Sequence, residues 1–267
     1  EEGYEYVDKT EMIYALTHQG KVYFLGRPRR FGKSLLVSTL KNYYLGKKEL
    51  FKGLAIEKLE TEWKTYPVFH IDFGTGTYVN ADAINQVLES YLMEWEKKYQ
   101  IEKTSITDYS LRFKKVLEEA HRQTGLRAVV LVDEYDKPLL DVMDLEYTID
   151  HLGKQITLEE YNRAMLRAFY QHLQFVFLTG VTKFSQVSVF SDFNQPNDIS
   201  MDIQYDTLCG LTDEEITQYF QEPIAEMANI YGCSVEEMRA ELKQRFDGYH
   251  FSKRLKGVYT PFSILNT

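Results

Sequence analysis

Nine residues, Gly26-Arg27-Pro28-Arg29-Arg30-Phe31-Gly32-Lys33-Ser34, constrain this chain more than any other feature. They follow a short apolar run, Val22–Leu25, and open a stretch, Ser34–Tyr44, whose apolar residues recur at three- and four-residue steps. A strand, a glycine-bearing turn and a helix in that order are the setting of a phosphate-binding loop. Backbone N–H groups around Arg30–Ser34 can converge on an anion at the positive end of the helix, and Gly32 lets the backbone come close. Lys33 is then expected to meet the β- and γ-phosphates of a triphosphate, with the Ser34 hydroxyl entering a magnesium shell. The spacing is unusual, because the first glycine stands at 26 and Arg27 takes its ordinary place. Arg29, Arg30, Phe31, Gly32, Lys33, Ser34 and Leu35 are the expected nucleotide contacts. Arg29 and Arg30 either touch phosphate or are ion-paired structure; the plainer alternative for the whole segment is a basic surface turn.

Further short runs rich in β-branched and aromatic residues occur at Val68–Phe73, Ala128–Val132 and Phe175–Leu178. Helical periodicity fills the spaces between, at Ala83–Tyr99, Leu111–Thr124 and Leu158–Leu173. Alternating strands and helices, with strands apolar on both faces, predict an α/β fold: a mostly parallel sheet covered on two sides. A fifth strand is expected near Thr207–Cys209. After Gly210 helix follows helix, and Thr212–Glu215 and Ser234–Glu237 each have the form of a capping box, as does Thr157–Glu160 earlier in the chain. The expected division is a core over 1–210 and a helical subdomain over 211–267. The chain starts without methionine and stops inside an apolar stretch, Tyr259–Leu265, so that subdomain reads as truncated and the chain as a piece of a longer protein.

With 267 residues, 44% of them hydrophobic, the chain is long enough for a packed core. A formal net charge of -9 argues against a broad nucleic-acid surface, which needs a surplus of Lys and Arg. No apolar run approaches the ~20 residues that cross a bilayer and no signal segment opens the chain, so the expected location is the cytoplasm. Cys209 and Cys233 are too far apart for a metal-type pair and read as reduced and structural.

A second motif supports the first. Ala128–Val132 runs into Asp133 and Glu134. An acid at the carboxyl end of a buried strand can hold magnesium, and the carboxylate after it can orient or deprotonate an attacking water. Neighbouring strand residues point in opposite directions, so both acids serve one site only if the backbone turns after Asp133; Tyr135-Asp136-Lys137-Pro138 offers such a break. Thr179, ending the next strand, either senses the γ-phosphate or water or is an ordinary strand-end threonine. Lys183 could reach a phosphate, and Arg163 and Arg167 are either arginine fingers in trans or surface pairs.

Several blocks together resemble the predicted AAA-ATPase-like family: Tyr6–Thr10, Arg27–Ser34, Val132–Pro138, Phe177–Ser185, Ser188–Ser191, Asp198–Ser200, Cys209–Thr212 and Asp247–Phe251. They occur in order over nearly the whole chain, and the displaced glycine belongs to that family's pattern. The resemblance implies a P-loop core of the ASCE type, with the Thr179 strand between the Asp133 and Lys33 strands. It implies ATP and Mg2+ as ligands, with Lys33, Ser34, Asp133, Glu134 and Thr179 in the nucleotide roles, and Tyr6–Thr10 bordering the base. Similar proteins often continue into a nuclease-like domain of the PD-(D/E)XK type. The resulting expectation is an ATP-hydrolysing switch; the alternative is a non-hydrolysing nucleotide-binding module that regulates an attached nuclease-like effector.

Overall fold

The computed structural model describes residues 5–102, 105–146, 148–170, 175–181 and 196–266. Lys183 and the Ser188–Ser191 block lie outside the described residues, as does the side chain of Arg167. Five strands form the central sheet: β1 (Val22–Gly26), β2 (Val68–Asp72), β3 (Val129–Asp133), a strand at Phe175–Gly180 and a short one at Asn197–Asp198. Between β3 and the Phe175 strand lies a hairpin, β4 (Thr148–His151) and β5 (Lys154–Thr157), so the last two sheet strands are β6 and β7. All pairings in the sheet are parallel and the order is β2-β3-β6-β1-β7. The Thr179 strand therefore lies between the Asp133 strand and the strand that feeds the loop.

The helices are α1 (Thr10–Gln19), α2 (Lys33–Tyr44), α3 (Ala55–Leu59), α4 (Ala81–Lys98), α5 (Tyr109–Thr124), α6 (Lys137–Leu140) and α7 (Leu158–Tyr170). Strand alternation feeds two cores. Phe24, Val130, Val132, Val176 and Leu178 pack with α4, α5 and α7 on one face. Tyr23, Leu25, Val129, Leu131 and Phe177 pack with α1 and α2 on the other. Residues two apart point the same way, so Asp133 follows Leu131, and Thr179 follows Phe177, onto the face of α2. Strand parity alone thus delivers both side chains to the helix that Lys33 begins.

The fifth strand is not at Thr207–Cys209, which is turn; β7 lies ten residues earlier, at Asn197–Asp198. Its pairing covers only Tyr23 with Asn197 and Phe24 with Asp198, too short a run for hydropathy to mark. Beyond Gly210 come α8 (Asp213–Tyr219), α9 (Gln221–Tyr231) and α10 (Val235–Phe246), then a hairpin of β8 (Tyr249–His250) and β9 (Gly257–Val258), and α11 (Pro261–Leu265). The helices at Thr212 and Ser234 start with reciprocal capping boxes, and Thr157 and Glu160 exchange the same bonds. Leu211, Ile216, Ile224, Met238, Leu242 and Tyr259 form a third apolar cluster, with Val7 from the amino end packed on it. Among the described residues no helix is long and apolar enough to cross a membrane.

The β4–β5 turn holds Leu152 at φ 54 and Gly153 at φ 76, the left-handed pair that favours Asn-Gly. Leu152 is 90% exposed, so its side chain returns little for the backbone strain. Leu152→Asn is expected to stabilise the protein by about 0.5–1 kcal/mol in urea unfolding; a loss of stability would contradict the strain.

Candidate functional site

Parallel strands end together, and the loops after β1, β2, β3 and β6 meet at one edge of the sheet, where open α/β sheets place their ligands. After Gly26 the backbone turns through Arg30 at φ 67 and Gly32 at φ 86 before entering α2. Successive N–H groups in such a turn make a concave nest for an anion, here at the start of a twelve-residue helix. Nothing lies within 4 Å of a Cβ built on Gly32, so its glycine is required by the positive φ and not by crowding.

Lys33 is 5% exposed, and its ammonium donates to the carbonyls of Arg27 at 3.0 Å and Pro28 at 3.1 Å. Burial pushes its pKa down; the charges of Glu134, Asp133 and Asp136 act in the opposite direction. The residues predicted to share a site therefore share an electrostatic neighbourhood. Because the folded-state pKa lies below the unfolded one, the charged Lys33 destabilises the free protein at neutral pH. That cost fades as pH rises through the folded value, and a bound anion would relieve it at any lower pH.

Asp133 is 3% exposed. Its Oδ1 accepts the Thr179 hydroxyl and the Glu134 N–H, the latter at 3.1 Å. Thr179 is fully buried, and its oxygen also accepts from Glu134 N at 3.2 Å. Its hydroxyl is committed to holding Asp133 and the turn after it. Glu134 stands at φ 48, so the chain reverses at Glu134 itself, one residue before the expected break. The left-handed residue defeats strand alternation and lets both carboxylates serve the same edge.

Ser34 and Leu35 are exposed in the first turn of α2. Arg29 is exposed, and the Arg30 guanidinium lies 4.1 Å from the centre of the Phe262 ring. Phe31 turns inward against Tyr249 and Phe251, at centroid distances of 4.7 and 5.3 Å. Arg163 pairs with Glu159 one helical turn away.

The donor set suits magnesium: a hard cation that keeps several waters and takes one or two carboxylates beside its phosphates. Among the described residues nothing donates a hydrogen bond to Asp133 Oδ2, and no group of three or more His, Cys, Asp or Glu forms a dedicated metal cage. Asp133 and the Ser34 hydroxyl fit a phosphate-bound ion of that kind.

Three contributors escape sequence reasoning. Arg27, 1% exposed, donates to the carbonyls of Gly26 at 2.9 Å, Ser200 at 2.6 Å and Tyr205 at 3.1 Å, and stacks 4.0 Å over the Phe251 ring. It fastens the loop from behind to two of the blocks that carry the family resemblance, Asp198–Ser200 and Asp247–Phe251. Asp72 is the register partner of Asp133, and Gly74 separates it from Glu134. A Cβ on Gly74 would come within 2.9 Å of Asp72 Oδ1 and 3.3 Å of Glu134 Oε2. Beside Gly32 a cavity of about 140 Å³ opens between Tyr6, Val7, Leu35, Cys209, Leu211 and Pro261. At the same place Lys9 forms a 2.5 Å ion pair with Glu215 of α8.

A helix-flanked parallel sheet, a glycine loop from β1 into α2 and an acid closing β3 define a P-loop NTPase-like core. The chain belongs to the predicted AAA-ATPase family, whose model matches residues 1–190. It is also similar to an uncharacterized protein in the vnfD 5' region of Azotobacter chroococcum mcd 1, with 36% identity over 269 residues. That match takes in 98% of this chain and 48% of the relative, so the chain spans about half the length of this curated relative. No solved structure matches the chain.

Arg27→Lys keeps the charge but loses the planar fork that serves three carbonyls. It should cost about 2–3 kcal/mol in urea unfolding. A change below about 0.5 kcal/mol would mean the fork is not what secures the loop.

Proposed function

We propose that the chain binds ATP with Mg2+ and hydrolyses it, and that the bound nucleotide sets how the helical part from Leu211 onward sits against the core. The observation that carries this reading is Lys33, buried at the mouth of an N–H nest with Glu134 and Asp133 as the charges that most favour its ammonium form. An ammonium so placed gains from a triphosphate what it has lost in hydration.

In this reading the N–H groups of 30–34 and the Lys33 ammonium hold the β- and γ-phosphates. Asp133 and Ser34 hold Mg2+, which when bound neutralises charge on the phosphate oxygens. Thr179 fixes the Asp133 rotamer. Glu134, displaced to the site by its left-handed backbone, orients water and accepts its proton. The base enters the apolar cavity beside Gly32, between Tyr6 and Leu35, and the Lys9–Glu215 pair closes one side of it.

The switching half rests on what touches the loop. Phe31 meets Tyr249 and Phe251, Arg30 meets Phe262 and Arg27 meets Phe251. Three side chains of the loop, Arg27, Arg30 and Phe31, thus lean on residues C-terminal to Asp247, so a rearrangement of the loop around phosphate is felt there.

ATP with Mg2+ should raise the melting temperature, because a ligand that binds only the folded state stabilises it. Lys33→Ala should abolish the rise, and a retained rise would remove Lys33 from the phosphate site. Glu134→Gln should keep the rise but slow phosphate release by about 10²-fold or more. An unchanged rate would exclude Glu134 as the base, and tight binding with no turnover in the unaltered protein would overturn the hydrolytic half.

A further inference from the structure

At the end of α2 away from the loop, a second cavity of about 280 Å³ lies between α1, the last turn of α2 and the segment before β2. Its walls include Tyr14, His18, Tyr43, Glu60, Trp63 and Tyr66. Tyr43 and Lys33 are ten residues apart on one helix, roughly 15 Å at 1.5 Å per residue, so this space is separate from the nucleotide site.

The Glu60 side chain is 8% exposed. Its Oε2 accepts the Tyr43 hydroxyl at 2.5 Å and its Oε1 accepts Glu62 N at 2.7 Å. Each carboxylate oxygen can accept a further bond. Among the described residues the only cationic group within 4.0 Å is the His18 imidazole, with Nε2 at 3.9 Å, beyond hydrogen-bond length. His18 Nδ1 is engaged with the Tyr14 carbonyl at 2.8 Å. Lys64, which also lines the cavity, pairs with Glu62 at 2.5 Å at the exposed rim and feels the Glu60 charge from there. A nearly buried carboxylate thus faces the cavity with no ammonium or guanidinium of the described residues within 4.0 Å, and a cation entering the cavity would be drawn to it.

The rings supply the complement. Tyr43 packs edge-on against Trp63 at 5.8 Å, and the Tyr14 and His18 rings lie 4.0 Å apart. Aromatic walls around a carboxylate favour organic cations over hydrated metal ions, because ring faces attract a weakly hydrated charge. At ~30 Å³ per water in the liquid, the volume admits a ligand of roughly nine or ten non-hydrogen atoms.

We propose that this cavity is a binding site for a small organic cation, an alkylated ammonium or a guanidinium, held by Glu60 within the Tyr14, Tyr43, Trp63 and Tyr66 rings. The site owes nothing to the nucleotide reading and stands if that reading fails.

The chain has two tryptophans, Trp63 and Trp95, and only Trp63 lines the cavity, so 5-fluorotryptophan labelling of the full chain gives a reporter and an internal control. Titration with tetramethylammonium and with agmatine is expected to shift the Trp63 fluorine resonance saturably and leave Trp95 in place. The neutral isostere tert-butanol should bind at least about tenfold more weakly, and Glu60→Gln should weaken the cations by a similar factor. Equal affinity for agmatine and for a blocked arginine amide would assign the site to a side chain presented by a partner; a preference for agmatine would assign it to a free metabolite. No saturable shift up to roughly 50 mM, or equal binding of tert-butanol and tetramethylammonium, would overturn the proposal. The isostere comparison uses the unaltered protein and so holds even if Glu60→Gln does not fold.

Discussion

A buried ammonium is the constraint on which the rest of the site depends. Lys33 begins α2 with its charge turned into the protein, answered by two backbone carbonyls and by carboxylates from the end of β3, one strand beyond β6. Such an arrangement is stable only if the loop behind it is rigid and the acids in front are fixed. Both conditions are met by buried side chains: Arg27 secures the loop to Ser200 and Tyr205, and Thr179 secures Asp133. The loop is thus supported from within by a buried polar layer.

Much of this was legible in the sequence because it follows from short-range rules. The runs at Val22, Ala128 and Phe175 are apolar at every position, as strands covered on both faces are, the Val68 run is interrupted only by His70 and Asp72, and all four are strands. The helix starts at Thr157, Thr212 and Ser234 were marked by reciprocal hydroxyl and carboxylate spacing, and all three form. The place of Thr179 beside Asp133 came from the family resemblance, and the sheet order agrees with it.

What escaped the sequence depends on long-range pairing. Asn197–Asp198 joins the sheet through two residues, with no hydropathy of its own to announce it, and the apolar segment expected instead at Thr207–Cys209 packs as a turn with Leu208 and Cys209 in the core. Arg27 reads as one more basic residue in a basic turn; only tertiary structure turns it inward to three carbonyls. The reversal at Glu134 is a left-handed backbone at a residue type that rarely adopts it, and no local composition signals it. The aromatic residues of Tyr249–Phe251 support the loop through Phe31 and Arg27, contacts between segments more than two hundred residues apart that no local pattern marks.

The central claim is that the loop between β1 and α2 wraps a triphosphate joined by a metal to Asp133. A crystal structure with a non-hydrolysable ATP analogue and Mn2+, read by anomalous scattering, tests it most directly. The account predicts phosphates against the N–H groups of 30–34 and a manganese peak between Ser34 and Asp133. Phosphates bound elsewhere, or a manganese peak remote from Asp133, would contradict it.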